Sequence, residues 1–193
     1  MTILPAHLAH LAQPACEPDP MAAAPDADCT WAYCWPAGVR LSAELPVLAR
    51  CPGAAVADLG CGRGHGGLSA LVAGAARVAF ADGDPAVLRW VEGVLAANGF
   101  AGRARACVHA WGDPIPGGPY DVVFGGDILY RPDFFAPLLA SIATSLADDG
   151  VALLSDPRRR LEPELPPLAA AAGLDWSSER RDAGYTLVRL RRR

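Results

Sequence analysis

The sequence predicts an α/β fold, a doubly wound Rossmann-like sheet of seven strands that ends in a C-terminal antiparallel hairpin. Three observations carry this. From residue 31 onward, short apolar runs rich in Val, Ala and Phe alternate with longer segments of helical spacing. The stretch AAVADLGCGRGHGG (54–67) reads as a buried strand, a glycine-rich turn and a helix start. Near the C-terminus, two strand-like runs flank the turn signal Asp182–Gly184.

The elements follow in order. A helix over Ala37–Ala49 precedes the first strand, Ala54–Leu59, and a second helix spans Gly66–Gly74. The next strand is Val78–Asp82. Pro85, a favoured first-turn residue, then opens a helix that runs to Asn98 and stops at Gly99. Ala104–His109 and Asp121–Gly126 form the third and fourth strands, with a helix over Pro132–Leu146 that is spent near Gly150. Val151–Ser155 is the fifth strand, and Pro163–Ala172 is a helix stopped by Gly173. Leu174–Arg180 and Tyr185–Leu190 form the hairpin. No internal repeat or linker divides residues 31–193, which read as a single domain.

Residues 1–30 differ in composition. They carry Glu17, Asp19, Asp26 and Asp28 with no arginine, and so hold the whole net charge of −4. Rich in Pro and Ala, they read as a loosely held arm, either a lid or substrate-docking element or a disordered extension. A short helix around Ala6–Gln13 would place Leu8 and Leu11 on one face.

At 193 residues the chain can bury a substantial core, yet no apolar run approaches the length of a membrane span. The N-terminus lacks a basic segment leading into an apolar one, and Pro5 interrupts it, which argues against a signal peptide. The six cysteines (Cys16, Cys29, Cys34, Cys51, Cys61, Cys107) form no C-x-x-C pair and no zinc-spaced cluster with histidine. Reduced thiols and a cytoplasmic setting are expected, with no metal. All seventeen basic residues are arginine, which with the abundant alanine points to a GC-rich bacterial genome. Without a lysine, the chain could not modify a lysine of its own.

The glycine-rich turn is the chemical centre. Gly60, Gly62 and Gly64 let the backbone turn sharply and approach a ligand without Cβ collisions. Asp82, at the tip of the second strand, could accept hydrogen bonds from both hydroxyls of a ribose. Gly62, Gly64 and Gly67 also satisfy the dinucleotide pattern G-x-G-x-x-G, so NAD must be weighed. Asp58 decides against it. A carboxylate at the mouth of the loop repels a pyrophosphate, which needs amide donors and a helix N-terminus. S-adenosylmethionine instead brings an ammonium and a sulfonium to such a loop, and an acid there favours it. Cys61, within the loop, is expected to pack rather than react.

Several other residues gather on the same sheet edge. Trp35, before Pro36, either covers the methionine side of the cofactor or anchors the first helix in the core. Trp111, after the third strand, either bounds the adenine pocket or simply packs. His109 reads as a satisfied core histidine, and Asp84 as the cap of the helix opened by Pro85. Asp127 ends the fourth strand beside the first, where the reacting groups of open α/β sheets collect. Tyr130 shares its pocket if a helical turn begins there. An acid and a phenol beside a methyl donor suit a cationic amine, the alternative being that Asp127 caps the helix after Arg131.

These motifs together, WAYCWPAG (31–38), ADLGCGRG (57–64), FADGDP (80–85), HAWGD (109–113), GGDILY (125–130) and SDPRR (155–159), resemble a known family. It is that of the seven-β-strand S-adenosylmethionine-dependent methyltransferases, in particular the family 16 protein methyltransferases. Within these, the chain is most similar to the group that methylates lysines of the electron transfer flavoprotein β subunit. The resemblance implies a lysine-bearing protein substrate, with a flavoprotein subunit as one candidate and nucleic acid disfavoured. It also implies catalytic roles for Asp127 and Tyr130, and cofactor binding by Trp35, Asp58, Gly60, Gly62, Gly64, Asp82, Trp111 and Asp127. One departure stands out. The flavoprotein-directed group has a glycine after its Asp-Pro, where this chain has Arg158; Arg159 keeps the register of the family's arginine. Arg158, Arg159 and Arg160 either meet an acidic protein surface or a phosphate backbone at the substrate rim, or form a solvated loop. A small-molecule N- or O-methyltransferase is the alternative, since this scaffold hosts many chemistries. A base-directed enzyme is disfavoured because GGDILY lacks the proline-containing motif such enzymes carry there.

Overall fold

Why the chain builds one continuous sheet is clearest at its first strand. In the computed structural model, which describes residues 4–14, 30–159 and 163–193, β1 (Ala55–Leu59) is buried along its whole length. A strand covered on both faces favours apolar residues throughout, as parallel central strands do, and Asp58 is the one polar residue of β1. The other strands are β2 (Arg77–Asp82), β3 (Ala104–Val108), β4 (Tyr120–Gly126), β5 (Leu146–Asp156), β6 (Leu174–Arg180) and β7 (Thr186–Arg192). Their order is β3-β2-β1-β4-β5-β7-β6, parallel except for β7, which runs antiparallel to both its neighbours. The fold class and the terminal hairpin are therefore as the sequence predicts.

Helices α1 (Pro36–Leu48), α2 (His65–Val72) and α3 (Pro85–Ala97) cover one face of the sheet, and α4 (Phe135–Ser145) and α5 (Leu165–Ala171) the other. Strand order reverses at β1 and β4, the switch point where open sheets bind ligands beyond their carboxyl ends. Several boundaries are set by local chemistry. Asp84 accepts a 2.7 Å hydrogen bond from the Ala86 amide and Pro85 supplies the first turn, so α3 starts where its cap predicts. Gly99, at φ 68°, releases the chain after it.

Other boundaries moved. The fifth strand begins at Leu146, not Val151: Tyr120 pairs with Leu146 and Val122 with Val151, so a register shift absorbs the extra residues. The polar sequence Asp148–Gly150 hides this irregular strand start in the primary sequence. The expected helix over Pro132–Leu146 is a 3-10 turn (Pro132–Phe134) leading into α4.

The arm also departs from expectation where it is described. Instead of a helix over Ala6–Gln13, a single 3-10 turn (Ala6–Leu8) is present, and Leu4, Leu8 and Leu11 all enter the core beneath α1–α3. The Asn98 side chain exchanges two 2.8 Å hydrogen bonds with the backbone of Ala12. His7 bridges Ser69 and Ser42, on α2 and α1. Glu17, Asp19, Asp26 and Asp28, with Cys16 and Cys29, lie outside the described residues.

Candidate functional site

Beyond the carboxyl ends of β1, β2 and β4 lies a cavity of about 700 Å³. Its floor is the turn after β1, where Gly60, Gly62 and Gly64 all adopt positive φ (61°, 47° and 74°), the region where L side chains are strained. A Cβ on Gly60 would also come within 2.9 Å of Ile128 and 3.0 Å of Trp111, so its absence keeps the cavity open. Gly66 and Gly67 act differently. A Cβ on either would drive into the ring of Phe124 or Phe80, so these glycines let α2 sit directly on the sheet.

Two acids hold this turn. Asp82 accepts from the Gly62 amide at Oδ2 (3.0 Å) and from the Asp84 amide at Oδ1 (3.1 Å). Each oxygen retains a further lone pair, so Asp82 can still accept from a ligand's hydroxyls. Asp58 is 1% exposed and accepts a 2.7 Å bond from the Gly67 amide. Burial pushes its carboxyl up to about 8, against the pull of the Gly67 amide, and the nearby Asp82 adds to the rise. Burial likewise raises Asp82, with the loop amides opposing. Cys61 is buried and its thiol is pushed well above its usual range, which makes it a packing residue.

The second wall is the tip of β4. Asp127 stands at φ 61°, unusual for a residue with a side chain, and its amide donates to Ser155 Oγ at 3.0 Å. Its carboxylate accepts a 2.6 Å bond from Arg159 Nη1. Burial raises the Asp127 carboxyl, Arg159 lowers it and Asp156 raises it. No helical turn starts here, contrary to the condition placed on the Asp127–Tyr130 pair; residues 127–131 are irregular, yet both side chains line the cavity. Asp127 is not a helix cap either, since the turn at Pro132 has no side-chain cap.

Aromatic residues form the rim. Trp35 is 42% exposed, donates from Nε1 to the Thr30 carbonyl at 2.8 Å and lies near Tyr33, so it borders the cavity rather than anchoring α1 in the core. Trp111 both packs and lines the cavity, edge-on to His109 and tilted against Phe134. Tyr130, 41% exposed, meets Phe134 edge-on. His109 is buried and satisfied, with Nε2 2.9 Å from the Asp113 carbonyl, but it also lines the cavity rather than sitting in the core.

Trp35, Asp58, Gly60, Gly62, Asp82, Trp111, Asp127 and Tyr130 thus all face one cavity. Gly64 does not. It sits behind the wall as the left-handed N-cap of α2, 3.0 Å (from its missing Cβ) to Phe80, and shapes the turn instead. Val108, Ile128 and Phe134 complete the wall; they are ordinary apolar residues in the sequence and carried no signal. Arg159 was visible within SDPRR, but only the structure turns it inward to Asp127. Arg158 stays exposed at φ 72°, unlike Arg159, and Arg160 lies outside the described residues.

A nucleoside-bearing cation fits what is present: acceptor capacity at Asp82, a turn free of Cβ atoms at Gly60, apolar surface at Val108 and Ile128, and carboxyls at Asp58 and Asp127. Among the described residues no group of acids, cysteines and histidines could hold a metal ion, and no helix is long and apolar enough to cross a membrane.

Solved structures similar to this one bear out the fold. A TehB-like SAM-dependent methyltransferase from Corynebacterium glutamicum aligns with TM-score 0.64 and 21% identity over 81% of this chain and 88% of that one. The ribosomal protein L11 methylase of Lactobacillus delbrueckii subsp. bulgaricus gives TM-score 0.67 and 20% identity, over 81% and 78%. Magnesium protoporphyrin IX methyltransferase from Synechocystis, solved with bound S-adenosylmethionine, gives 0.63 and 19%, over 81% and 78%. Among curated proteins, the protein N-lysine methyltransferase METTL21A of Danio rerio is 34% identical over 109 residues, 53% of this chain and 49% of that protein. The chain thus spans about half the length of the curated relative it matches. The family model described as "Lysine methyltransferase" matches residues 31–165, which contain every nominated site residue. The chain belongs to the lysine methyltransferase family, whose cofactor is S-adenosylmethionine.

Proposed function

We propose that this protein transfers a methyl group from S-adenosylmethionine to the ε-amine of a lysine on a protein substrate, with a bacterial flavoprotein subunit as the candidate acceptor. The observation that carries this reading is that Asp127 and Tyr130 open onto the same cavity as Asp82 and the glycine turn. The family match supports the acceptor chemistry. The free thiols of Cys34, Cys51, Cys61 and Cys107 suit a reducing, cytoplasmic setting.

When bound, the cofactor supplies an electrophilic methyl on a sulfonium. The chain's own residues have a positioning task, since in-line displacement requires nucleophile, methyl and sulfur to be aligned. Asp82 would hold the ribose hydroxyls, and the glycine turn with Asp58 the amino-acid end. Trp35 and Trp111 would cover the methionine and adenine sides. Asp127 would bind the lysine ammonium by a charge-assisted hydrogen bond, and Tyr130 would offer its hydroxyl or ring face. A carboxylate stabilises the ammonium and so does not itself make the amine nucleophilic. Its work is orientation, after which the proton leaves to water as the positive charge of the cofactor approaches.

The test is incubation of the protein with methyl-labelled cofactor and host lysate, or a purified flavoprotein β subunit, followed by acid hydrolysis of the labelled product. Methylated lysine is expected. A neutral-amine nucleophile also predicts a rate that climbs over roughly pH 7–9, because the free-amine fraction rises about tenfold per pH unit below a pKa of about 10.4. Recovery of only an O-methyl or small-molecule product would replace this reading with a small-molecule N- or O-methyltransferase.

A further inference from the structure

Gly126 and Ser155 are paired across β4 and β5, so the next residues, Asp127 and Asp156, are two acids on adjacent strand tips. Both are buried, at 6% and 3% exposure. The neighbouring Asp156 disfavours ionisation of Asp127 and calls for a cation. Arg159 supplies it. Its Nη1 lies 2.6 Å from Asp127 Oδ1 and 3.4 Å from Asp156 Oδ1, while its own amide donates to Asp156 Oδ2 at 2.7 Å. Asp156 thus fixes the backbone that carries Arg159, and the guanidinium reaches back to the reacting edge. Arg159 holds Asp127 without itself lining the cavity.

We propose that Arg159 is a positioning residue for methyl transfer, holding Asp127 ionised and aimed into the cavity so that it can bind the acceptor ammonium. This deepens the lysine reading and rests on it for the ammonium. The arrangement explains the strained backbone of Asp127: its amide is tied to Ser155 and its carboxylate to Arg159, so the left-handed conformation is held from both ends. It also leaves a net negative charge, two acids against one cation, which attracts an ammonium. The other charged or titratable groups on the cavity are Asp58, Asp82 and Asp84 on the β1–β2 side, Arg63, His65 and His109, the phenols of Tyr33 and Tyr130, and the Cys61 thiol.

The deciding readout needs no methyl acceptor. With carboxyl-13C-labelled aspartate, the Asp127 resonance is assigned by its loss in Asp127→Asn and titrated by NMR. In Arg159→Met its midpoint should rise by about one pH unit or more, and in Arg159→Lys by less. In Asp156→Asn, which removes the neighbouring charge, it should fall. Calorimetry should find S-adenosylmethionine affinity within about twofold of the parent in the Arg159 variants, whereas kcat of methyl transfer to a lysine substrate falls. Should Arg159→Met fail to fold, Arg159→Lys and Asp156→Asn still give opposite signs. A midpoint that stays put in these variants, or moves against these signs, overturns the proposal. If the midpoints move as stated but no lysine is methylated, the clamp stands and the substrate reading fails.

Discussion

Replacing Asp58 by Asn should change how stability depends on pH. Asp58 is 1% exposed and makes its hydrogen bond to the Gly67 amide, an acceptor role that a carboxamide oxygen can also fill. What the substitution removes is ionisation. The folded protein holds the Asp58 carboxyl at about 8, against an ordinary value of 3.8, chiefly through burial. The folded state therefore binds this proton more tightly than the unfolded chain, and stability must fall as pH rises between those values. As far as Asp58 is concerned, stability is greatest below about pH 4, declines across about pH 4–8 and is lowest above 8. About four pH units at about 1.4 kcal/mol each is on the order of 5 kcal/mol, a large part of the 5–15 kcal/mol that holds a typical domain together. Urea unfolding followed by circular dichroism, on parent and Asp58→Asn at pH 4.5 and 8.5, reads this contribution, because titrating groups not coupled to Asp58 cancel in the comparison, leaving Asp58 and its coupling to Asp82 and Cys61. The variant should gain several kcal/mol relative to the parent at the higher pH. Parallel pH dependences, within about 1 kcal/mol, would refute the reasoning and mean that water or a charge partner already stabilises the ionised form.

Asp82→Ala should weaken S-adenosylmethionine binding by about 1–3 kcal/mol through the loss of hydrogen bonds to the ribose, read by calorimetry; unchanged affinity would place the ribose elsewhere. Asp127→Asn keeps the shape but removes the charge, so cofactor affinity should hold while kcat drops sharply, and Tyr130→Phe should cost less; parent-like turnover in Asp127→Asn would sink the catalytic assignment. Gly67→Ala should destabilise the fold by about 1–3 kcal/mol in thermal or urea unfolding, because its methyl enters the ring of Phe80; a variant of parental stability would show that α2 can move off the sheet.

The chain itself, without tertiary contacts, determined the features that a few neighbouring residues decide. Asp84–Pro85 starts α3, and Gly99 releases it, because capping and left-handed conformations are properties of adjacent backbone groups. Gly60, Gly62 and Gly64 mark the turn for the same reason, and the largely apolar runs of β1 and β4, each broken by a single aspartate, mark strands of the sheet interior. The alternation of such runs with helices already specified the doubly wound sheet, and through it the edge where Asp82 and Asp127 meet. Tertiary structure decided what depends on residues far apart in sequence. The early start of β5 follows from its pairing with Tyr120, and the descent of Leu4, Leu8 and Leu11 into the core follows from the surface that α1–α3 present. Gly66 and Gly67 must be glycine because Phe124 and Phe80 arrive from other strands. Arg159 reaches Asp127 across 32 residues, and the Asp58 carboxyl is pushed up because the packed fold buries it. Dihedral preferences and caps act within a turn of chain, whereas desolvation and charge pairing exist only after distant segments have packed.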